Sequence, residues 1–451
     1  MIGMDAVHLV FLSLAVFAFW QSAIMLLHAW EHRRFYRSRQ RTKLKSDVGL
    51  RVTLIAPCKG IDADLRANLL ALFWQRYPNY ELCLVVESES DPAVPVIREL
   101  QGEHPQIPAR LVIAGVARNC GQKVQNLMCA TQAVLAEPTA GQDPSRPPLT
   151  KGGKTEAAGP PDVLAFVDSD ACPHVDWLGR LVDRLTSGKN AVATGYRWYV
   201  PETPAFENRL LSAINNTIIS WTGPYGYNLV WGGAWAIRTE TFKKLGLPDA
   251  WSGSLSDDLI VSGLVKKARL RVSFEPHCLT KSSADFTWSR LGEFLRRQFL
   301  VVRVYSPKWW QVAFWAGLLT SACLWGMLGF AGYWAIARGP WAAALAGALA
   351  YYLAGVLQTH LTAGAVRPFI SVADEDYDRV ARLNIWGWPL VTLAEWAGML
   401  SSAFGRTIVW RGIVYRMDSP RQTTILADST KQSADSRTGR NAHARTTSRA
   451  A

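Results

Sequence analysis

The chain has 451 residues, a formal net charge of +13 and a composition that is 49% hydrophobic, including 20 tryptophans. This length suits one large or two ordinary domains. Its seven cysteines are scattered, without a Cys-x-x-Cys pair, which argues against a disulfide framework or a zinc site and favours a reducing compartment. The positive charge suits anionic lipid or an anionic substrate. We expect no nucleic-acid partner, because much of the charge flanks apolar segments or lies in the C-terminal tail.

The N-terminal segment predicts a membrane anchor at residues 1–30. Residues 7–27 are almost entirely apolar and can cross a hydrocarbon core of about 30 Å. They lack the basic start and the small-residue cleavage pattern of a signal peptide. Residues 31–47 are strongly basic, so the positive-inside rule predicts a cytoplasmic flank in contact with anionic lipid.

Residues 48–290 alternate apolar strands with helices, which is typical of a mainly parallel α/β sheet covered on both faces. Charged residues follow the strands directly, at the edge where such sheets bind ligands. Residues 137–161 are rich in Pro, Gly, Thr and Ala and predict a flexible surface insertion. The predicted strands are 51–56, 80–86, 110–113, 163–167, 190–200 and 269–274, and the predicted helices include 65–73 and 126–135.

Asp168-Ser169-Asp170 directly follows the buried strand 163–167. Aspartates spaced i, i+2 share one face of a strand or converge where the chain bends. Carboxylate oxygens suit Mg²⁺ or Mn²⁺, which bridge carboxylates to substrate phosphates. A turn before the next helix would use the same residues, so this motif alone leaves both interpretations open.

Two further segments are candidates for a site. Asp257 and Asp258 precede a helix that runs to Lys267, where carboxylates can take part in chemistry or simply favour the helix dipole. Gly232 and Gly233 interrupt a strand-like run, which suggests backbone brought close to a ligand or to another strand.

The C-terminal part predicts a membrane region at residues 311–416. It follows a basic amphipathic segment, 291–310, interpreted as an interfacial helix or else as a solvated helix ending the soluble domain. The apolar runs 311–337 and 341–365 predict a membrane hairpin. Residues 385–404 contain Pro389 and Glu395, so we interpret them as re-entrant or interfacial. The polar residues 417–451 predict a disordered tail.

In their order and spacing these motifs resemble the membrane-bound GT-A glycosyltransferases of families 2 and 21, of the ceramide glucosyltransferase type. The resemblance covers roughly residues 52–305. The family's Gln-x-x-Arg-Trp motif is not intact. The arginine after Gln298 stands at position 303, two residues later than the motif requires, and the Trp is missing. The matching motifs are Pro57-Cys-Lys-Gly60, Tyr77-Pro78, the acidic segment 86–92, Lys123 with Asn126-Leu127, Asp168-Ser169-Asp170 and Asp257-Asp258.

The resemblance implies a GT-A mixed α/β fold and an inverting transferase that moves a sugar, with glucose favoured, from a UDP-sugar to a membrane lipid hydroxyl. It implies a multi-pass protein, in a bacterial inner membrane by preference, with a cytoplasmic catalytic domain and a ceramide-like acceptor. Alternatives are a hopanoid or diacylglycerol acceptor, a processive polysaccharide synthase, and a non-enzymatic scaffold or transporter. By the same resemblance, the catalytic residues would be Asp258 with Asp257, and Mg²⁺ or Mn²⁺ would be held by Asp168 and Asp170. The nucleotide sugar would be bound by Lys59, Glu87, Glu89, Lys123, Asp168, Gln298 and Arg303. The acceptor site would be shaped by Trp221, Tyr225, Tyr227 and Trp231.

Overall fold

The computed structural model describes residues 2–44, 49–62, 64–136, 150–151, 154–155 and 159–428. Most of the predicted insertion at 137–161 lies outside the described residues. The same holds for residues 429–451, which make up most of the predicted tail.

The main sheet is a mixed seven-stranded sheet in the order β3-β2-β1-β6-β8-β7-β9. Strands β1, β2, β3 and β6 pair in parallel, β7 pairs in parallel with β9, and β8 runs antiparallel between β6 and β7. A separate short hairpin contains β4 and β5. The strands are β1 Val52–Pro57, β2 Tyr80–Val86, β3 Ala109–Ile113, β4 Thr150–Lys151, β5 Lys154–Thr155, β6 Val163–Val167, β7 Val192–Pro201, β8 Ala234–Arg238 and β9 Val272–Ala284.

Both faces of this sheet are covered by helices, because alternate residues of each central strand point to opposite faces. Val163, Ala165 and Val167 of β6 belong to one core cluster, and Leu164 and Phe166 belong to the other. This confirms the predicted α/β class. The helices of the domain are α2 Leu65–Phe73, α3 Ala93–Glu103, α4 Gln122–Leu135, α5 Trp177–Thr186, α6 Phe206–Ser220, α7 Thr239–Lys244, α8 Leu247–Trp251 and α9 Asp257–Lys267.

Within the described residues, three helices are long and apolar enough to cross a membrane: α1 Ile2–Gln40, α11 Pro307–Ala337 and α12 Trp341–Val366. They pack together, and Gln21 of α1 links them by donating to Thr320 Oγ1 (2.5 Å) and accepting from Tyr351 OH (2.9 Å). α1 continues from the predicted anchor into the basic segment and ends at Gln40. Arg39 near its end pairs with buried Glu275 of β9, so part of this basic segment contacts the domain.

The predicted interfacial segment 291–310 corresponds to α10 Trp288–Tyr305 and the first turn of α11. Leu291, Leu295 and Phe299 of α10 pack against helix α14 (Trp388–Ser402). At 15 residues α14 is about 22 Å long, shorter than the hydrocarbon core.

α14 follows helix α13 (Asp374–Trp386) and a short 3₁₀ turn, Arg367–Phe369. α14 begins beside α12, where Trp388 Nε1 donates to the Tyr352 carbonyl (3.2 Å). It ends beside the start of α11, where Trp310 Nε1 donates to Ser402 Oγ (3.0 Å). α13 and α14 are separated only by Gly387, and the interpretation of 385–404 as re-entrant or interfacial stays a prediction.

The predicted disorder of 417–451 is wrong for its first twelve residues, and the predicted membrane region ends too late. Residues 407–428 form an antiparallel sheet of β10 Thr407–Trp410, β11 Ile413–Ser419 and β12 Gln422–Asp428. Alternate residues of β11, namely Ile413, Tyr415 and Met417, are buried in a cluster with Leu255 and Leu300. Strand alternation, which needs only half of its residues to be apolar, explains why this segment looks polar in sequence.

Candidate functional site

The site forms where several chain segments reach one edge of the seven-stranded sheet. β1, β2 and β6 are parallel, so Lys59, Glu87 and Asp168, which follow them, emerge at the same edge. β8 is antiparallel to β6, which brings Gly232 and Gly233, just before it, to that edge as well. The first turns of α4 and α9 complete the site.

Lys123, in the first turn of α4, is at the centre of the site. Its Nζ lies 2.7 Å from Asp168 Oδ1 and 3.2 Å from Asp257 Oδ1, and it donates to the Gly232 carbonyl at 3.4 Å. Burial would lower the pKa of Lys123, but Asp168, Asp257 and Asp258 outweigh it and raise the pKa. Lys123 therefore carries a permanent positive charge between the acidic groups.

Asp257 and Asp258 stand at the start of α9, but in different surroundings. Asp257 is 3% exposed, and its Oδ2 is buried without a hydrogen-bond partner among the described residues. Burial, with help from Asp258 and Asp168 and against Lys123, raises the pKa of Asp257 to about 7. Asp258 is partly exposed and accepts three hydrogen bonds, from Gly232 N (2.9 Å), Ser256 Oγ (2.6 Å) and Leu259 N (2.8 Å).

Gly232 fits between the charged groups because it has no side chain. A Cβ atom there would lie 2.7 Å from Lys123 Nζ, 3.0 Å from Asp257 Oδ2 and 3.2 Å from Asp258 Oδ2. The glycine pair noted in the sequence thus marks a close approach of backbone to the candidate catalytic acids.

Asp168 and Asp170 share a cation that the sequence did not single out, Arg197 of β7. Its guanidinium lies 3.3 Å from Asp168 Oδ2 and 3.3 Å from Asp170 Oδ2, and it is 15% exposed. Burial would raise the pKa of Asp170, but Arg197, Arg411 and Lys123 lower it below its usual value.

This pair fits a divalent cation in one respect: Asp170 Oδ1 is buried and has no hydrogen-bond partner within the described chain. The described residues contain no cluster of three or more Asp, Glu, His or Cys side chains that could hold a metal ion. The protein would therefore supply two carboxylates at most, which suits Mg²⁺ that completes its coordination with water and substrate phosphates.

Lys59 and Glu87 form an ion pair at the same edge, and their side chains are 16% and 20% exposed. Glu89 instead pairs with Arg98 at 2.7 Å, and both side chains are 61% exposed. Glu87 therefore lies at the site edge, whereas Glu89 lies in solvent.

Arg411, in the turn between β10 and β11, also reaches this edge. It donates to the Lys59 carbonyl (2.6 Å) and to Asp62 Oδ2 (2.8 Å). Its charge contributes to the low pKa of Asp170. From sequence, Arg411 was only part of the predicted membrane region 311–416. Its place at this edge could not be predicted, because its contact with Lys59 spans about 350 residues of chain.

Gln298 and Arg303 do not join this cluster. Gln298 is exposed on α10, and Arg303 donates to the carbonyls of Ala403 and Gly405. Two residues further on, Tyr305 OH accepts from the backbone of Leu255 (2.6 Å) and Ser256 (3.3 Å) and so supports the segment that carries the α9 acids.

The predicted acceptor aromatics divide into two groups. Trp231 lies in the site, with the Arg197 guanidinium 4.8 Å from its ring centre. Trp221, Tyr225 and Tyr227 lie against the N-terminal helix, around His28, whose ring is 4.9 Å from Trp221 and 5.2 Å from Tyr225. Tyr227 also contacts Trp309 at the start of α11 (5.7 Å), so this group lies beside the candidate membrane helices.

Arg197 and Arg411 are the functional residues that sequence reasoning missed. A signal for Arg197 is present in the sequence, since it is a lone charge within the strand-like run 192–201. Arg411 is followed by a glycine and has a positive φ of 47°, which is typical of a tight turn but does not indicate what the turn contacts.

The chain is similar to several known glycosyltransferases. A sequence profile described as glycosyl transferase family 21 matches residues 10–135 and 154–423. The ceramide glucosyltransferases of Komagataella phaffii and Gibberella zeae are 31% identical over 134 residues and 29% identical over 157 residues, respectively. These alignments cover 30% and 33% of this chain but only 22% and 26% of the two relatives.

A solved mannosyltransferase from Pyrobaculum calidifontis, in complex with GDP-Man and Mn²⁺, matches with a TM-score of 0.44 and 14% identity over 87% of this chain and 99% of that one. That similarity is too distant to bear on donor or acceptor. The family profile covers well over half of the whole chain. The chain therefore belongs to glycosyl transferase family 21.

Proposed function

We propose that this glycosyltransferase moves a sugar, with glucose favoured, from a UDP-sugar to a hydroxyl group of a membrane lipid, with inversion at the anomeric carbon. A ceramide-like acceptor is favoured because the matched relatives are ceramide glucosyltransferases. The observation that carries the proposal is the pairing of a fixed, partly exposed carboxylate, Asp258, with a group of cations at the same sheet edge.

The donor would bind along the line of cations. Lys59, Lys123, Arg197 and Arg411 all lie at this edge, and a diphosphate is the kind of charge that they can neutralise. Glu87, next to Lys59, is placed to accept hydrogen bonds from the nucleoside. When bound by Asp170 and Asp168, Mg²⁺ or Mn²⁺ would supply further positive charge to the leaving diphosphate.

Asp258 would act as the general base. The acceptor oxygen attacks the anomeric carbon, its proton passes to the Asp258 carboxylate, and the bond between that carbon and the diphosphate breaks to release UDP. Hydrogen bonds from Gly232 and Ser256 hold the carboxylate in one orientation, so little reorganisation is needed. Asp257 is nearly inaccessible and would act by holding Lys123.

The acceptor would approach from the membrane side. Tyr225 and Tyr227 stack on one another (4.7 Å) beside the N-terminal helix, and Trp309 lies at the start of the next candidate span. Aromatic side chains favour headgroup depth in a bilayer. We infer that this aromatic group guides a lipid hydroxyl toward Trp231 and Asp258, with the domain cytoplasmic and the inner membrane of a bacterium as the favoured location.

The Asp258→Asn variant tests this assignment, because Asn keeps the shape of the side chain and removes its basicity. We expect the single-turnover rate to fall by roughly 10²–10⁴-fold with little change in UDP-glucose affinity. Asp249→Asn, an exposed position on α8, is the matched control and should transfer sugar normally. A variant at position 258 with a near wild-type rate, or one that fails only by losing UDP-glucose, would move the base elsewhere.

The acceptor is tested separately with vesicles that contain ceramide, diacylglycerol or a hopanoid, together with labelled UDP-glucose. One sugar per ceramide is the expected product. A labelled polymer would identify a processive synthase, and transfer to diacylglycerol or the hopanoid alone would reject the ceramide-like acceptor.

A further inference from the structure

A second basic site lies away from the catalytic residues, between α6, α13 and the start of α14. It is an open cleft with a volume of about 490 Å³. No acidic side chain lines it. The lining residues are Arg209, Arg379, Arg382, Leu383, Trp386 and Gly387.

Two of the three arginines that line this cleft have no acidic partner among the described residues. Arg209 Nε is buried and donates to no partner in the described part of the chain. Neither Arg209 nor Arg382 makes an ion pair with any described residue. Arg379 pairs with Glu375 (3.2 Å) and Asp376 (3.4 Å) one turn earlier, on the exposed side of α13. Burying an arginine nitrogen without a partner is costly, which points to an anionic ligand that completes the site.

The cleft also lies beside apolar surface suited to lipid. Trp386, at its rim, is 59% exposed, and its carbonyl accepts from Tyr352 OH of α12 at 2.9 Å. α12 is a candidate membrane span, and its Leu345, Leu349 and Leu353 form a stripe that is about half exposed. Leu390, one turn into α14, is 54% exposed.

We propose that this cleft binds the phosphate headgroup of an anionic membrane lipid. The arginines would contact the phosphate, since guanidinium groups match its oxygens. Trp386 would lie at headgroup depth, and the acyl chains would run along the apolar surface of α12 and α14. Since Arg209 belongs to α6, and Arg379 and Arg382 belong to α13, which follows the candidate span α12, the lipid would join these two helices.

The proposal goes beyond sugar transfer and needs neither the donor nor the acceptor. It is tested by native mass spectrometry of the full-length protein in detergent, titrated with phosphatidylglycerol or with phosphatidylcholine. The test variant is Arg209→Gln with Arg382→Gln. The matched control is Lys243→Gln with Lys244→Gln, which removes two exposed charges from α7, outside the cleft.

We expect the wild-type protein to retain phosphatidylglycerol in preference to phosphatidylcholine. The double arginine variant should bind phosphatidylglycerol roughly thirtyfold more weakly, at about fivefold for each charge lost near a membrane surface. The lysine control should bind it as the wild type does. The variant Arg209→Lys with Arg382→Lys preserves both charges and should recover most of the affinity. That recovery would show that the loss in the double glutamine variant is not caused by misfolding.

Three results would overturn the proposal. The first is an unchanged affinity in the double arginine variant, and the second is an equal loss in the lysine control. The third is displacement of the lipid by inorganic phosphate at an equal concentration, because the ligand would then be a soluble phosphate and not a lipid.

Discussion

Gly232→Ala places one methyl group among the charges of the site. The added Cβ would lie 2.7 Å from Lys123 Nζ, whereas an ordinary contact begins at 3.4 Å, so the ammonium must retreat by about 0.7 Å. Lys123 can move because Nζ is the end of a flexible side chain. The fold should therefore survive while the distances from Nζ to Asp168 and Asp257 change.

The expected cost is in catalysis. A misplacement of about 1 Å at a reacting centre can cost about 10²-fold in rate, so a shift of this size predicts a loss of roughly 10- to 100-fold. The assay is the single-turnover transfer from UDP-glucose to ceramide in vesicles, together with the thermal midpoint of unfolding.

Gly226→Ala is the matched control. Gly226 lies in the same segment, and a Cβ there would meet nothing within 4 Å. It should transfer sugar within about twofold of the wild-type rate. The interpretation of the site is refuted if Gly232→Ala also transfers at the wild-type rate, or if both alanine variants lose activity to the same extent.

Three further predictions concern charge. The raised pKa of Asp257, about 7, means that the folded protein favours the protonated carboxyl, a stabilisation that is complete below about pH 4 and lost as the pH rises through 7. Asp257→Asn should therefore gain stability relative to wild type between pH 4 and 7 in thermal unfolding without donor; a difference that is constant with pH would contradict this. EDTA should weaken UDP-glucose binding to the wild type but not to Asp170→Ala, as measured by calorimetry, and an EDTA-insensitive wild type would remove the metal assignment. Arg411→Gln should weaken UDP-glucose binding by about tenfold or more, the value of a charged hydrogen bond. Arg416→Gln, on the strand that follows this turn, should not, because Arg416 pairs with Asp418 (2.9 Å).

Much of the fold follows from local sequence. Apolar runs predict β1, β2, β3, β6 and β7 within two residues at each end, because a buried strand must be apolar over most of its length. The last predicted strand, 269–274, is wrong in its bounds, since β9 begins at Val272 and continues to Ala284. Parallel pairing then places the residues that follow β1, β2 and β6 at one edge, so Lys59, Glu87 and Asp168 could be named before any geometry was known. The three candidate spans are equally local, since crossing a bilayer depends on length and hydrophobicity.

The choice among residues of the same type depended on tertiary structure. Glu87 and Glu89 are indistinguishable in sequence, but one faces Lys59 and the other faces Arg98 in solvent. Gln298 and Arg303 were assigned to the donor site, and the orientation of α10 turns them away from it.

The C-terminal sheet was missed altogether, because its burial comes from contacts with distant parts of the chain. Tyr415 OH accepts from the Gln122 backbone (3.3 Å) at the start of α4, and Arg411 reaches the residues that follow β1. A polar segment becomes ordered only when the rest of the protein offers a surface for its few apolar residues. Sequence patterns therefore determined the apolar strands of the main sheet and the edge where their ends meet. Contacts between residues hundreds of positions apart decided whether the polar C-terminal strands form and which charges the site contains.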